Sequence, residues 1–237
     1  HSNLRRQRQM CIRDRDIIAQ NEWRRPIYFT GGAFGDEDYI WMKDYLQLDG
    51  MCYKLIPIKT EVDESNPYEM GMVDSQKMLS IVKNWEWGSK DSNEIYLDVE
   101  SRKNSITYRG NISRLIDQLI LENKIDEAEN ILDICMEKMP VNEYGYYTLL
   151  EPFLNAYYMI NKPKKARKIF DDIAVKYQES LFYFSTVSNS NKNKYAEDIY
   201  IDIERYRSLV DVILNHEEGE YLETRMKEFN DYLDLFL

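Results

Sequence analysis

The stretch ISRLIDQLILENKIDEAENILDICMEKMP, which runs from Ile112 to Pro140, decides the fold. Its apolar residues recur at intervals of three and four, which predicts two amphipathic helices on either side of the polar turn Asn123-Lys124. Ala128 gives the second helix a small residue at the point where a paired helix can approach closely. Pro140 ends the unit, because proline cannot continue a helix. We therefore predict a helical hairpin.

A second copy of this pattern begins farther along the chain, with Ala166 in the place of Ala128 and Lys162-Pro163 in the place of the turn. Both copies fit the template of the tetratricopeptide repeat, a helical hairpin of roughly 34 residues. The apolar positions that the template requires are occupied in each copy, by Ile112, Leu115, Leu119, Leu132 and Cys135 in the first and by Leu150, Phe153, Tyr157, Phe170 and Ile173 in the second. Residues 101–187 should thus form two tetratricopeptide-like hairpins.

Two such hairpins leave apolar end faces uncovered, so further elements are needed as caps. Residues 195–237 supply a third hairpin, with helices predicted from Tyr195 to Asn215 and from Glu220 to Leu237 around Gly219. The polar run from Ser188 to Lys194 is predicted to be a flexible joint.

Residues 16–100 predict a small mixed segment of helices and strands. A helix from Asp16 should end at Arg25-Pro26, because a residue before proline is disfavoured in a helix. Two strands, Ile27 to Thr30 and Met51 to Ile58, flank a predicted helix from Asp36 to Leu48, and this connection is long enough for parallel pairing. Asp74 is predicted to cap a helix from Ser75 to about Trp87. The predicted fold class is α+β, mainly α: this mixed segment followed by tetratricopeptide-like helical hairpins.

The composition excludes several classes of function. The chain has 31 Lys and Arg against 42 Asp and Glu, a net charge of -11, which opposes binding to nucleic acid. Only two histidines are present, so a histidine triad or a histidine-rich metal site lacks its residues. We therefore expect no catalytic residue, no metal and no cofactor, and no apolar run is long enough to span a membrane. Cys11, Cys52 and Cys135 are expected to be inert thiols, with a Cys52–Cys135 pairing as the alternative.

The first fifteen residues, HSNLRRQRQMCIRDR, differ from the rest because they carry five Arg and one Asp, and the remainder has a net charge of -15. The run MCIRDR resembles translated sequencing-adapter read-through, and the native frame would then begin near Arg15 or Asp16. We expect residues 1–15 to be a non-native or disordered tail. The alternatives are a frayed terminus without a role and a basic arm for an acidic partner or a membrane surface.

Five runs of residues carry a resemblance to a known family: RDII (15–18), NEWRRPIYF (21–29), DYLQLDGMCYKLIPI (44–58), WEWG (85–88) and IYLD (95–98). Their order and spacing resemble the soluble C-terminal part of a bacterial family of multi-pass membrane proteins of unknown function, similar to protein O-mannosyltransferases. The resemblance extends from Asp16 to about Val187. It implies that catalysis and binding of the lipid-linked donor belong to a membrane-embedded half that this sequence does not contain.

The resemblance therefore implies a non-catalytic accessory domain on the periplasmic side of an inner membrane, part of a larger membrane glycosyltransferase-like protein. Its partners would be a protein or glycan acceptor or the transmembrane half. The alternatives are a free-standing scaffold of tetratricopeptide type, which binds proteins, and a carboxylate-based glycan hydrolase.

The candidate interaction surface consists of Tyr146, Tyr147, Asn155 and Tyr158 in the second predicted hairpin. Tyrosine offers contact area at interfaces, but we favour the interpretation that about half of the tyrosines in this part simply pack the second repeat. The acid pairs Asp171-Asp172 and Glu217-Glu218 could be an acid and a base for hydrolysis, but adjacency in sequence does not provide the cleft that this mechanism needs. We interpret these acids as a solvated face.

Overall fold

The computed structural model describes residues 2–30, 40–60, 70–87, 96–145 and 147–236, without the side chains of residues 2–11 and 189–191. The chain is mainly helical with one small antiparallel sheet, which confirms the predicted fold class. It divides into two compact units. Unit 1 contains His1–Tyr96 and Ile106–Leu119, and unit 2 contains Leu97–Ser105 and Ile120–Leu237. The predicted boundaries, 16–100, 101–187 and 195–237, stay predictions.

Unit 1 combines helices with the sheet. Its elements are α1 (Ser2–Asn21), β1 (Tyr28–Thr30), a 3-10 helix (Ile40–Tyr45), β2 (Leu46–Asp49), β3 (Cys52–Leu55), α2 (Ser75–Lys83) and residues 106–119 of α3 (Val99–Leu121). The strand order is β1-β3-β2, and both pairs are antiparallel. The expected parallel pairing is therefore wrong, because β3 returns from β2 through a tight hairpin and then meets β1.

The hairpin also corrects the helix predicted from Asp36 to Leu48. Residues 36–39 lie outside the described residues, Ile40–Tyr45 form a 3-10 helix, and Leu46 and Leu48 are both fully buried in a strand. Gly50 takes the first position of the two-residue turn with a φ of +67°, a conformation that glycine adopts without strain. This turn places Asp49 opposite Cys52 and sets the register of β2 on β3.

The outer edge of β2 is covered by the backbone of Met72. The Met72 amide donates to the Leu46 carbonyl and the Leu48 amide donates to the Met72 carbonyl, both at 2.9 Å. Gly71 makes this approach possible, since a Cβ atom there would lie 2.2 Å from the Leu46 carbonyl oxygen. A glycine is therefore required beside β2.

Helices α1 and α2 of unit 1 both end earlier than the sequence predicts, and only α2 begins at the predicted residue. The Asp74 side chain accepts a hydrogen bond from the Lys77 amide at 3.0 Å and caps α2 as predicted, but α2 ends at Lys83. Helix α1 ends at Asn21, where Glu22 and Trp23 have φ values of 48° and 58°. The same helix begins at Ser2, so most of the segment expected to be a tail has a helical backbone.

Unit 2 is built from helices. They are α4 (Ile125–Lys138), α5 (Val141–Tyr144), α6 (Glu151–Met159), α7 (Pro163–Thr186), α8 (Asn189–Lys194), α9 (Ala196–His216) and α10 (Glu220–Leu233), with a 3-10 helix at Tyr147–Leu149. Helix α6 packs on α4, α7 and α9, and α10 packs on α7 and α9. The predicted joint from Ser188 to Lys194 thus contains a short helix, and the C-terminal helix pair around Gly219 is confirmed.

The positions that the repeat pattern selected are buried. Ala128 and Ala166 have no exposed surface, and each of the ten apolar positions of the two copies is at most 2% exposed. Asn123 and Asn161 begin the inter-helix turns with φ values of 56° and 59°, a left-handed conformation that asparagine tolerates. The turn equivalent to Asn123-Lys124 is therefore Asn161-Lys162, one residue before the predicted turn.

The two cysteines whose side chains the structure describes are thiols. Cys52 is partly exposed in β3 and Cys135 is buried in α4. The alternative Cys52–Cys135 pairing is therefore not formed.

Candidate functional site

The four residues of the predicted interaction surface have different environments. Tyr146 lies outside the described residues. Tyr147 is half-buried, and its ring packs edge-on against Tyr177 with the centroids 5.0 Å apart. Asn155 is partly exposed on α6, whereas Tyr158 is only 8% exposed. Tyr158 therefore cannot present its ring to a partner as predicted, because it packs inside unit 2.

Tyr158 instead belongs to a buried polar cluster at the end of α9. Its hydroxyl donates to Glu217 Oε1 at 2.9 Å, and Arg167 donates to both carboxylate oxygens at 2.7 and 2.6 Å. The hydrogen bonds from Arg167 hold the pKa of Glu217 below its usual value. Burial and the bond to Glu217 raise the pKa of the Tyr158 phenol, which therefore stays neutral. This cluster fastens α9 to α6 and α7.

The exposed residue His216 lies next to this cluster at the protein surface. Its ring stacks on Tyr158 with the centroids 4.8 Å apart and the planes 3° apart. Its Nε2 lies 2.9 Å from Asn155 Oδ1, and both side chains are accessible to solvent. The side chains available for contact are thus Asn155 and His216. The His216 ring is positioned by stacking on the buried Tyr158 ring. His216 was not among the predicted site residues, although it is one of only two histidines in the chain.

One member of each acid pair lies in an ion pair. Glu217 binds Arg167, and Asp171 contacts Arg225 at 3.0 Å and accepts from the Tyr221 hydroxyl at 3.3 Å. Burial raises the pKa of Asp171. Glu217 and Asp171 thus join helices, whereas Asp172 and Glu218 are exposed.

A groove of about 780 Å³ opens between α4, α5 and α7 of unit 2. Lys165 crosses one end and donates to Asp133 and Glu129 at 2.6 and 2.8 Å. Tyr157 donates to the same Asp133 at 2.7 Å. Apolar side chains, including Ile169 and Val175, lie between these charges, so the groove offers both apolar and ionic contacts.

Unit 1 has a pocket of different chemistry, with a volume of about 480 Å³. Trp23, Trp41 and Tyr45 line it together with aliphatic residues of α1 and β3 and with the Arg15 guanidinium, which lies 5.2 Å from the centre of the Trp41 ring. A cation above an indole face is attracted by the ring electrons. This pocket could not be predicted from periodicity, because its aromatic residues come from separate segments of the chain.

Among the residues that the structure describes, no group of three or more His, Cys, Asp and Glu side chains is arranged to hold a metal ion. In the same part of the chain, no helix has the length and hydropathy needed to cross a membrane.

Residues 2–77, about a third of the chain, match a family model described as TMEM260-associated domain 2. The matched range contains α1, the whole sheet and the start of α2, and it includes residues 2–15. It also contains every residue that lines the aromatic pocket. Comparison with curated proteins and with solved structures gives no match.

Proposed function

We propose that this chain is a non-catalytic accessory domain of a membrane protein of the protein O-mannosyltransferase type, on the periplasmic side of an inner membrane. The observation that carries the proposal is the match of residues 2–77 to TMEM260-associated domain 2. TMEM260 is classed with the protein O-mannosyltransferases. The runs of residues that resemble such a family fall partly within the matched range and continue beyond it.

The positions of the carboxylates support a role without catalysis. Glu217, Asp171 and Asp133 each contact a cation and a tyrosine hydroxyl of unit 2. A general acid or base must instead reach the substrate proton that it transfers. These acids stabilise helix packing, and the domain acts by contact.

The contact surface that we propose is Tyr147, Asn155 and His216 in unit 2, with a protein or glycan acceptor or the transmembrane half as the partner. Asn155 and His216 offer hydrogen-bonding groups, and Tyr147 offers an aromatic edge. Such a mixture suits a polar partner.

The test uses the complete parent protein and measures sugar transfer as a function of acceptor concentration. Tyr147→Ala with Asn155→Ala should raise KM for the acceptor several-fold and leave kcat unchanged, because binding is lost and the chemistry is not. Asn130→Ala, an exposed asparagine on α4, is the matched control. A fall in kcat with an unchanged KM would contradict the proposal. So would turnover by the isolated chain that a single Asp or Glu substitution abolishes, which would favour the hydrolase.

The second candidate function is a free-standing scaffold of tetratricopeptide type. The filled repeat positions and the groove between α4 and α7 favour it. An upstream reading frame in phase, with several apolar spans, would support the accessory domain. A start codon near Arg15 without such spans would support the scaffold.

A further inference from the structure

Large apolar side chains are exposed in unit 1 close to the aromatic pocket. Trp23, Trp41 and Tyr45 are 52%, 42% and 43% exposed, and Ile17 and Ile58 reach 58% and 67%. Scattered exposed apolar residues are ordinary, but a contiguous group of them marks a surface for interaction. The pocket shows that the three aromatic residues are contiguous, because their side chains all line it.

We name the three aromatic residues, together with Arg15, the aromatic face: Arg15, Trp23, Trp41 and Tyr45. Arg15 lies over Trp41, while Asp44 pairs with Lys59 and Glu22 pairs with Arg24. Arg15 itself lies between Asp14 and Asp16 in the sequence, and the whole chain has a net charge of -11. The face combines a cation with apolar and amphipathic rings.

We propose that the aromatic face is the surface by which unit 1 rests on a bilayer that contains anionic lipid. Tryptophan and tyrosine prefer the head-group region, since their rings are apolar with one polar edge. Arg15 would contact lipid phosphate. This inference rests on the proposed function, which places the domain beside a membrane.

A protein partner could also cover an apolar face, but the composition favours lipid. Six of the described residues that form the pocket wall are aliphatic or Met, two are Trp, one is Tyr and one is Arg, so hydrogen-bonding groups for a defined polar partner are few. A fluid lipid surface needs none at fixed positions.

The test measures binding of the full chain to phosphatidylcholine vesicles with and without phosphatidylglycerol. We expect binding to the anionic vesicles that weakens with salt, and a blue shift of tryptophan emission that brominated acyl chains quench. Trp23→Ser with Trp41→Ser should lower binding at least tenfold, and Arg15→Gln several-fold. Trp23→Tyr with Trp41→Tyr should restore most of the binding, because tyrosine also prefers the interface.

The matched control is Phe182→Ser with Tyr183→Ser, two aromatic residues of unit 2 that are 60% and 61% exposed. These two substitutions should leave vesicle binding unchanged. A second control is Arg5→Gln, Arg6→Gln and Arg8→Gln, which removes charge outside the aromatic face and should preserve most of the binding. Far-ultraviolet circular dichroism verifies that each variant is folded.

Absence of vesicle binding by the unaltered chain would overturn the inference, as would equal losses in the Trp23/Trp41 and Phe182/Tyr183 variants. Loss of binding only in the triple arginine variant would also overturn it, since the binding would then belong to the opening segment. The inference would also be overturned if the chain bound a protein through Trp23 and Trp41 and did not bind vesicles. The acceptor KM of the parent protein tests the proposed function separately, so the two failures are distinguishable.

Discussion

The ion pair of Arg167 and Glu217 should respond unequally to removal of its two members. The Glu217 side chain is 7% exposed, whereas that of Arg167 is 42% exposed. Glu217→Gln leaves an arginine that can turn toward water. Arg167→Met leaves a buried carboxylate whose remaining partner is the Tyr158 hydroxyl, at 2.9 Å. We therefore expect Arg167→Met to be the more costly change.

The magnitudes follow from burial. Removing one partner of a fully buried pair costs about 3–5 kcal/mol, and the bond from Tyr158 should reduce the cost of Arg167→Met to about 2–4 kcal/mol. Glu217→Gln keeps one acceptor oxygen, which can still receive the bonds from Tyr158 and Arg167 Nε, and loses the oxygen that receives the bond from Arg167 Nη2. It should cost about 1 kcal/mol. The double variant should lose less than the sum, with a coupling of about 0.5–3 kcal/mol, because no buried charge is left alone.

The stability that the Arg167–Glu217 pair contributes should depend on pH. Arg167 holds the pKa of Glu217 below its ordinary value of 4.5, so the pair stabilises the fold above about pH 4.5 and loses that contribution as pH falls through the folded pKa. In Arg167→Met the pKa of this carboxyl should rise, so protonation relieves the buried charge at a higher pH. The stability difference between the parent and Arg167→Met should therefore narrow from pH 7 to pH 4.

Urea unfolding at pH 7, 5.5 and 4 measures the free energy of unfolding of each variant. Circular dichroism follows the loss of helical structure during the titration. All four tryptophans precede residue 88 and lie in unit 1, so tryptophan emission monitors that unit separately. Equal costs for the two single variants, or a deficit of Arg167→Met that does not change between pH 7 and pH 4, would refute the reasoning.

Three further predictions concern packing and the start of the chain. Ala128→Leu and Ala166→Leu should each lower the free energy of unfolding by about 1–3 kcal/mol through overpacking, and melting curves identical to the parent would contradict the hairpin register. Gly71→Ala should cost about 2 kcal/mol or more because its Cβ would meet the Leu46 carbonyl, whereas Gly219→Ala, with φ +76° and open space, should cost only about 1–2 kcal/mol in a urea titration. Deleting residues 1–14 should leave Tm unchanged, and a fall of several degrees, which corresponds to about 1 kcal/mol, would show that they contribute contacts.

The helices of the helical part could be predicted because a period near 3.6 persists over two turns or more in each of them. Ala128 and Ala166 were selected by spacing alone, and both are fully buried. Strand β2 could not be predicted in the same way, since Met42, Tyr45 and Leu46 also fit helical spacing over a short run. The deciding contacts are the turn at Gly50 and the backbone of Met72, which lies far along the chain.

The candidate site was less predictable than the fold. Tyr158 could be identified as a residue of the second hairpin, but its burial depends on Glu217, which lies 59 residues later. The aromatic pocket unites Trp23 with Trp41 and Tyr45 through chain reversals that no local pattern describes. Periodicity selects the residues that face a core, and it does not show which separated segments converge at a surface.

The two backbone hydrogen bonds between Met72 and β2 bear on how often the sheet opens. These two bonds close the long loop between β2 and Met72. Closing this loop costs more chain entropy than closing the short β2–β3 hairpin. The Leu48 amide, which donates to the Met72 carbonyl, should therefore exchange with deuterium through partial opening while the hairpin persists. Each such opening exposes an unpaired strand edge, the kind of edge that recruits other chains into aggregates. Substitutions at Gly71 should consequently raise the rate of aggregation before they unfold the protein.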